Sequence, residues 1–138
     1  MRRDLSPPSG GTAPPATARL PDGELLHLAP IAEEISRRFW TEYTDEAERY
    51  GDAGLAWCIH DNQWLLGWAV EDFEIKRGHF VGNVRWLAGL LAARDYPAKR
   101  LARDLEIAAD VVGEEGDGRR RLARKLREGA RAVERTQA

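Results

Sequence analysis

The chain has 138 residues, of which 43% are hydrophobic, 8% aromatic and 32% charged. This composition is that of a globular domain and excludes a wholly disordered or collagen-like chain. The formal net charge of −2 gives no overall field that would attract nucleic acid or an acidic membrane. The single cysteine excludes a disulfide framework within the chain and a zinc site built from several of its cysteines.

The first 21 residues differ in composition from the rest of the chain. They hold five of the seven prolines, together with Gly10 and Gly11, and show no hydrophobic period. We therefore predict a disordered leader over residues 1–21. Arg2 and Arg3 are followed by Asp4 and prolines instead of an apolar run, so a secretory signal peptide is not expected.

Charge divides the remaining chain into two parts. Residues 22–116 are net acidic and are expected to form the main helical domain, whereas residues 117–138 are net basic. We interpret the basic part as a helix that folds back on the acidic domain or on a second copy of the chain, so self-association is expected. Contact with nucleic acid phosphates is the alternative interpretation. The residues concerned are Arg119, Arg120, Arg121, Arg124 and Lys125.

The first helix is predicted to begin near Pro30, because proline fits the first turn of a helix. Hydrophobic residues recur every four positions behind it, as at Ile35 and Phe39, so they share one face. Ser36 is expected on the exposed side of this helix.

The helix expected over residues 53–74 is apolar around most of its circumference, which is typical of the centre of a bundle. A short helical piece over residues 45–50 precedes it and is predicted to end at Gly51. A polar run, residues 60–63, is set into the apolar helix. Part of this run is expected to face other helices.

Three more helices are predicted towards the C-terminus. The first covers His79–Ala93, and Pro97 and Gly113 bound the second. The last covers residues 119–135 and carries only a narrow apolar stripe, so it is expected to fray or to dock only in an oligomer. No segment has the alternation of a strand. The predicted fold class is therefore all-α, a compact bundle of four to five helices with a disordered N-terminal leader.

Tryptophan is the residue type that points most directly to a site. Three of the five tryptophans share a face of the 53–74 helix with Asp61. An apolar pocket with a few convergent polar groups is the usual form of a small-molecule site. An aromatic core, in which Asp61 or Asn62 accepts hydrogen bonds from indole N–H groups, explains the same pattern. The candidate ligand-binding residues are Trp57, His60, Asp61, Trp64, Trp68 and Trp86.

Histidine and cysteine offer few ways to build a catalytic centre. Cys58 and His60 lie two residues apart, which places them about 200° apart on a helix. They therefore neither chelate one ion together nor form a nucleophile and base pair. No phosphate-binding loop or nucleophile elbow is present.

The adjacent pair His60 and Asp61 supports one enzymatic alternative. With His27 before the pair and Asp104 or Asp110 after it, the order matches the residue types of metal-dependent phosphohydrolases of the HD superfamily. Such enzymes use imidazole and carboxylate ligands around a divalent ion that activates water. A metal-dependent hydrolase using His60 and Asp61 is therefore an alternative, although the leading interpretation has no metal site.

The leading prediction is a non-catalytic regulatory or sensory module of the cytoplasm. It would bind a small molecule or a partner helix through the Trp-lined region. The longest charge-free run in the apolar part, residues 62–70, is too short to span a bilayer, so no membrane contact is expected. The sequence identifies no cofactor. A nucleic-acid accessory protein that uses the basic C-terminal helix is the other alternative.

Overall fold

The computed structural model describes residues 8, 11–74 and 79–137 of the chain. Within them it has five α-helices and one two-stranded antiparallel sheet, so the prediction of an all-α bundle of four to five helices is confirmed. The strands are β1 (Thr17–Arg19) and β2 (Leu25–His27). The helices are α1 (Leu28–Glu42), α2 (Asp45–Glu71), α3 (His79–Ala93), α4 (Ala98–Val112) and α5 (Asp117–Gln137).

The short hairpin formed by β1 and β2 was not predicted. Thr17 pairs with His27 and Arg19 with Leu25, and the turn contains Gly23 at a φ of 97°, which glycine adopts without strain. The expectation that no segment forms a strand is therefore wrong. The strand β1 also lies inside the segment for which we predicted disorder. Half of the rest of that leader, residues 1–7, 9 and 10, lies outside the described residues.

The second helix is bent at a single glycine. Gly51 has φ 64° and ψ −162° inside α2, a conformation that residues with a Cβ rarely adopt. The short piece predicted to end at Gly51 is therefore the N-terminal arm of α2. Its first turn contains three acidic residues, which suit the partial positive charge of a helix N-terminus.

The core is built around α4, which packs most extensively against α5 and also contacts α1 and α3. The expectation that the last helix frays or docks only in an oligomer is wrong, because α5 packs within the same chain. Leu122, Leu126 and Val133 are fully buried. Gly129 allows Phe80 of α3 to approach closely, since a Cβ at this position would lie 2.7 Å from Phe80 Cε2.

The exposed side expected for Ser36 is also corrected by the structure. Ser36 is fully buried, where α1 packs against α2 and α4. Across the described part of the chain, no helix combines the length and the apolar character that crossing a membrane requires.

Candidate functional site

A cavity of about 270 Å³ lies among α1, α2, α3 and α4. Five aromatic residues line it, together with four leucines. For scale, a protein cavity of about 150 Å³ holds one benzene ring, so this space accepts a ring with a short chain. We call it the aromatic cavity. Its aromatic residues are Phe39, Trp40, Tyr50, Trp57 and Tyr96, and its leucines are Leu65, Leu87, Leu91 and Leu101.

One face of α2 supplies a wall of the aromatic cavity on both sides of the Gly51 bend. The lining positions recur every three or four residues, from Glu46 through Cys58 to Leu65, as the helical repeat requires. The turn after α3 and the first half of α4 supply the opposite wall, including Arg100 and Asp104. Four segments of the chain therefore have to pack correctly before the cavity exists.

Buried polar side chains from three helices meet at this cavity. Asn62 Nδ2 donates to Ser36 Oγ at 3.1 Å and to Asp104 Oδ1 at 3.2 Å, and it lies 3.7 Å from Cys58 Sγ. Asn62 is only 2% exposed and Asp104 only 7%. We call these four residues the Asn62 cluster.

The Asn62 cluster contains an unpaired acceptor. Asn62 Oδ1 is buried and has no hydrogen-bond partner among the described residues. Leaving a buried carbonyl unpaired costs about 1–3 kcal/mol, and such groups are uncommon in folded proteins. The site therefore has unused capacity to accept a hydrogen bond.

Asp104 is the buried acid of the cluster. Burial raises the pKa of its carboxyl group to about 7, and the hydrogen bond from Asn62 offsets only part of this effect. In the described part of the chain, Asn62 is the only hydrogen-bond donor to its side chain, and the bond is to Oδ1. Asp104 Oδ2 is thus a second unused acceptor at the cavity wall.

The thiol of Cys58 is not activated for chemistry. Burial raises its pKa well above the ordinary range, and the negative charge of Asp104 adds to this effect. The nucleophilic form of cysteine is the thiolate, which is therefore scarce here at neutral pH. Cys58 acts as a small apolar wall residue.

A second buried acid at the cavity, Glu46, is fully engaged. It accepts hydrogen bonds from the Tyr96 hydroxyl and from Arg100 Nη1, the latter at 2.9 Å. Arg100 also contacts Asp45 Oδ2 at 3.1 Å and lies over the ring of Tyr43, 4.4 Å from its centroid. Burial, reinforced by Glu46, raises the pKa of Tyr96 far above its ordinary range. The charges of Glu46 and Arg100 are thus matched inside the protein.

Two of the six residues proposed for ligand binding line the aromatic cavity. They are Trp57 and Asp61. Asp61 is partly exposed, and its Oδ1 lies 3.1 Å from Nδ1 of His60. The His60 ring in turn meets the Trp57 ring edge-on, with centroids 5.1 Å apart. His60 therefore contacts two lining residues without lining the cavity itself.

The other three tryptophans lie elsewhere. The rings of Trp64 and Trp68 are half-buried, with centroids 6.5 Å apart, and neither lines the aromatic cavity. Trp86 is 62% exposed on α3. The candidate site thus lies beside the tryptophan stripe and not at its centre.

Sequence reasoning missed the polar residues that distinguish the site. Asn62 was considered only as a partner of indole groups, and Asp104 only as a metal ligand. A signal for Asp104 exists in the sequence, since it lies between Leu101 and Leu105 on the apolar face of α4. An acid inside an apolar helix stripe indicates a buried and therefore costly carboxyl group.

The residues of the HD-type alternative come together only in part, because Asp61 and Asp104 both line the aromatic cavity while the two histidines do not. His27 is exposed on β2, and His60 does not line the cavity that contains Asp104. In the segments that the structure describes, no group of three or more His, Cys, Asp or Glu side chains is placed to hold one metal ion. The described residues therefore do not support a metal centre of this type.

The basic residues of α5 contact acidic and aromatic side chains of the same chain. Arg119 Nη2 pairs with Glu24 Oε2 at 2.8 Å, and Lys125 pairs with the buried carboxylate of Asp72. The guanidinium of Arg121 and the ammonium of Lys125 both lie over the ring of Phe73. These contacts within the chain engage positive charges that could otherwise bind the phosphates of a nucleic acid.

The other two of the five predicted basic residues face outwards. Arg120 donates to the backbone oxygen of Glu114 at 3.2 Å, and Arg124 is exposed. Arg131 and Arg135 of α5 are exposed as well, so at least four outward cations lie on this helix, still fewer than the six or more phosphate contacts of typical DNA-binding proteins.

Comparison with known proteins finds no matching family model, no matching curated protein and no matching solved structure.

Proposed function

We propose that the protein is a non-catalytic module that binds one small, largely apolar molecule in the aromatic cavity. The observation that carries this proposal is that a cavity of about 270 Å³ coincides with an unpaired buried carbonyl, Asn62 Oδ1. A plain core is packed to the density of an organic crystal, and its polar atoms are paired. A ligand that fills the cavity and donates a hydrogen bond to Asn62 Oδ1 would account for both departures at once.

The chemistry of the lining supports binding in preference to catalysis. The walls are mostly aromatic and aliphatic, with a few polar groups that would orient a ligand. Cys58 and Tyr96 keep their protons, because burial raises the pKa of both groups. The imidazole of His60 does not reach the cavity wall. None of these three groups is available as a nucleophile or as a general base near pH 7, and the remaining acid of the Asn62 cluster, Asp104, accepts a hydrogen bond from Asn62.

A regulatory or sensory role in the cytoplasm is part of the same proposal. Asn62 joins α1, α2 and α4 through its side chain, so a ligand that pairs with this cluster would favour one arrangement of three helices. Any molecule that binds only the folded state also raises the free energy of unfolding. Self-association through the exposed basic residues of α5 is a separate proposal, tested by sedimentation at low and high salt.

The test fills the cavity and asks whether binding disappears. Leu87 of α3 lines the cavity and is half-buried, so Leu87→Trp should occupy the space. Leu90 on the same helix is also half-buried but does not line it, which makes Leu90→Trp the matched control. Ligand-observed NMR with indole, 2-phenylethanol, 2-phenylethylamine and phenylacetate would report binding to each folded protein.

We expect at least one probe to bind the unaltered chain and Leu90→Trp but not Leu87→Trp. Native mass spectrometry of the purified protein should also show a non-covalent mass that Leu87→Trp loses. If no probe binds the unaltered chain and no extra mass is present, the proposal is wrong. Equal binding to both tryptophan variants would place the ligand outside the cavity and would also reject it.

A further inference from the structure

We infer that the ligand of the aromatic cavity is an amphipathic amine, with an aromatic or aliphatic body against the cavity walls and a protonated amino group held by Asp104 and Asn62. This inference rests on the proposed function, because it names the ligand class for the same cavity.

At pH 8, where Asp104 is ionised, the Asn62 cluster offers two unused oxygen acceptors and no unused N–H donor. All three contacts of the Asn62 amide nitrogen, to Ser36, Asp104 and Cys58, lie within the protein. The Ser36 hydroxyl hydrogen-bonds with the Cys58 thiol. What remains is Asn62 Oδ1 and the second oxygen of Asp104. An ammonium group carries three donors and no acceptor, so it complements this set.

Charge at the cavity favours a cation over an anion. The guanidinium of Arg100 is already matched by Asp45 and Glu46, which removes it as an anchor for a ligand carboxylate. Arg94 lies at the exposed edge of the cavity, away from the buried cluster. The carboxylate of Asp104 has no cationic partner among the described residues. A buried charge is stabilised by an opposite charge with a direct hydrogen bond.

The walls fit the rest of such a molecule. Trp40, Tyr50 and Trp57 line the cavity, and aromatic faces attract cations as well as apolar groups. The volume of about 270 Å³ accepts a single ring with an aminoethyl chain. A neutral alcohol would use the same walls but would leave the charge of Asp104 unbalanced.

The experiment compares three molecules that share one ring and differ in their polar group. These are 2-phenylethylamine, 2-phenylethanol and phenylacetate, titrated at pH 8 by calorimetry or ligand-observed NMR. Asp104 is ionised in the free protein at this pH, since its pKa is about 7. We expect the amine to bind at least about tenfold more tightly than the alcohol, as for a charge-assisted hydrogen bond. Phenylacetate should bind more weakly than either.

Substitution of the anchor should remove the preference and keep the cavity. In Asp104→Asn the amine is expected to bind no more tightly than the alcohol, while the alcohol keeps its affinity. Asp110 is on the same helix but is exposed and does not line the cavity, so Asp110→Asn is the control and should preserve the tenfold preference. Circular dichroism and the affinity for the alcohol show that each variant is folded.

The outcomes separate the two proposals. If the alcohol or phenylacetate binds the unaltered chain as tightly as the amine, and Leu87→Trp abolishes that binding, the ligand class is overturned while the binding function stands. A preference for the amine that survives in Asp104→Asn also overturns the inference. If indole binds but none of the three molecules does, the ligand class is overturned and the binding function stands. If indole also fails to bind and no extra mass accompanies the purified chain, both proposals fail.

Discussion

Asn62 Nδ2 lies 3.2 Å from Asp104 Oδ1, and this hydrogen bond joins α2 to α4 between residues 42 positions apart. The same nitrogen reaches Ser36 of α1. A single amide group therefore ties three helices together at the wall of the aromatic cavity. Because its nitrogen serves the fold, only its oxygen is left for a ligand.

Asn62→Ala is expected to destabilise the fold by about 2–3 kcal/mol, because it leaves the buried carboxyl of Asp104 without its hydrogen-bond donor. Urea titration at pH 7, followed by circular dichroism, measures the change in the free energy of unfolding. Asn83 of α3 is half-buried and lies outside the cavity, so Asn83→Ala is the control. Equal losses for the two variants would show that the Asn62 hydrogen bonds contribute little.

The free energy of unfolding should depend on pH through Asp104. Its pKa is raised from 3.8 to about 7 in the folded state, so between these values the folded state binds more protons than the unfolded state. The contribution of Asp104 to the free energy of unfolding is therefore greatest below about pH 4 and is lost as pH rises towards 7. In Asp104→Asn this fall should be absent, and at pH 8 the variant should be more stable by a few kcal/mol.

Unfolding curves at several values between pH 5 and pH 8 test this, with the difference between Asp104→Asn and the unaltered chain as the measured quantity. The other ionisable or charged groups of the cavity are Glu46, Tyr50, Cys58, Asp61, Arg94, Tyr96 and Arg100. They are present in both proteins, so their contributions largely cancel in the difference. A difference that stays constant from pH 5 to pH 8 would contradict the raised pKa of Asp104.

Gly129→Ala is expected to destabilise the protein by about 1–3 kcal/mol, as overpacking of a core does. The new Cβ would lie 2.7 Å from Phe80 Cε2, so the contact between α3 and α5 would have to open. Gly82 and Gly89 of α3 have open space at the same position. Alanine there should raise stability by up to about 1 kcal/mol. Thermal unfolding of the three variants separates steric crowding from helix propensity.

Lys125→Met should cost about 2 kcal/mol, because it removes the ion pair between Lys125 and the buried carboxylate of Asp72. Asp72 is 4% exposed and also accepts a hydrogen bond from the backbone N–H of Phe80 at 2.8 Å. Arg124 on the same helix is exposed, so Arg124→Met should change stability by less than about 0.5 kcal/mol. A similar loss in both variants would indicate a general charge effect instead of this pair.

The ends of a helix could be predicted from the sequence where the spacing of hydrophobic residues agrees with the proline or glycine that bounds the helix. The ends of α3 and α4 follow from hydrophobic periods bounded by Pro97 and Gly113. The docking of α5 could not be predicted from the sequence. It depends on a contact between Gly129 and Phe80, which lies 49 positions away, and the Phe80 ring occupies the space that a Cβ at Gly129 would fill. The hairpin was missed because strands of three residues are too short to show alternation.

Only two residues at the edge of the candidate site were predicted from the sequence. The helical repeat put Trp57 and Asp61 near the correct side of α2, but the tryptophan stripe lies roughly a quarter turn away from the line of Cys58, Asn62 and Leu65. The partners of Asn62 come from α1 and α4. The packing between helices decides which polar residues of different helices meet. The spacing of residues along one helix carries no information about these contacts.

The attachment of the β1–β2 hairpin has a consequence for the order of folding. The backbone N–H of Gly118 donates to Asp22 Oδ2 at 2.8 Å across 96 positions, and Arg119 reaches Glu24 across 95. Contacts between such distant residues close a very long loop and form late in folding. The hairpin should therefore join the bundle after α5 has docked and be the first part to detach, so its amide protons should exchange with solvent sooner than those of α4.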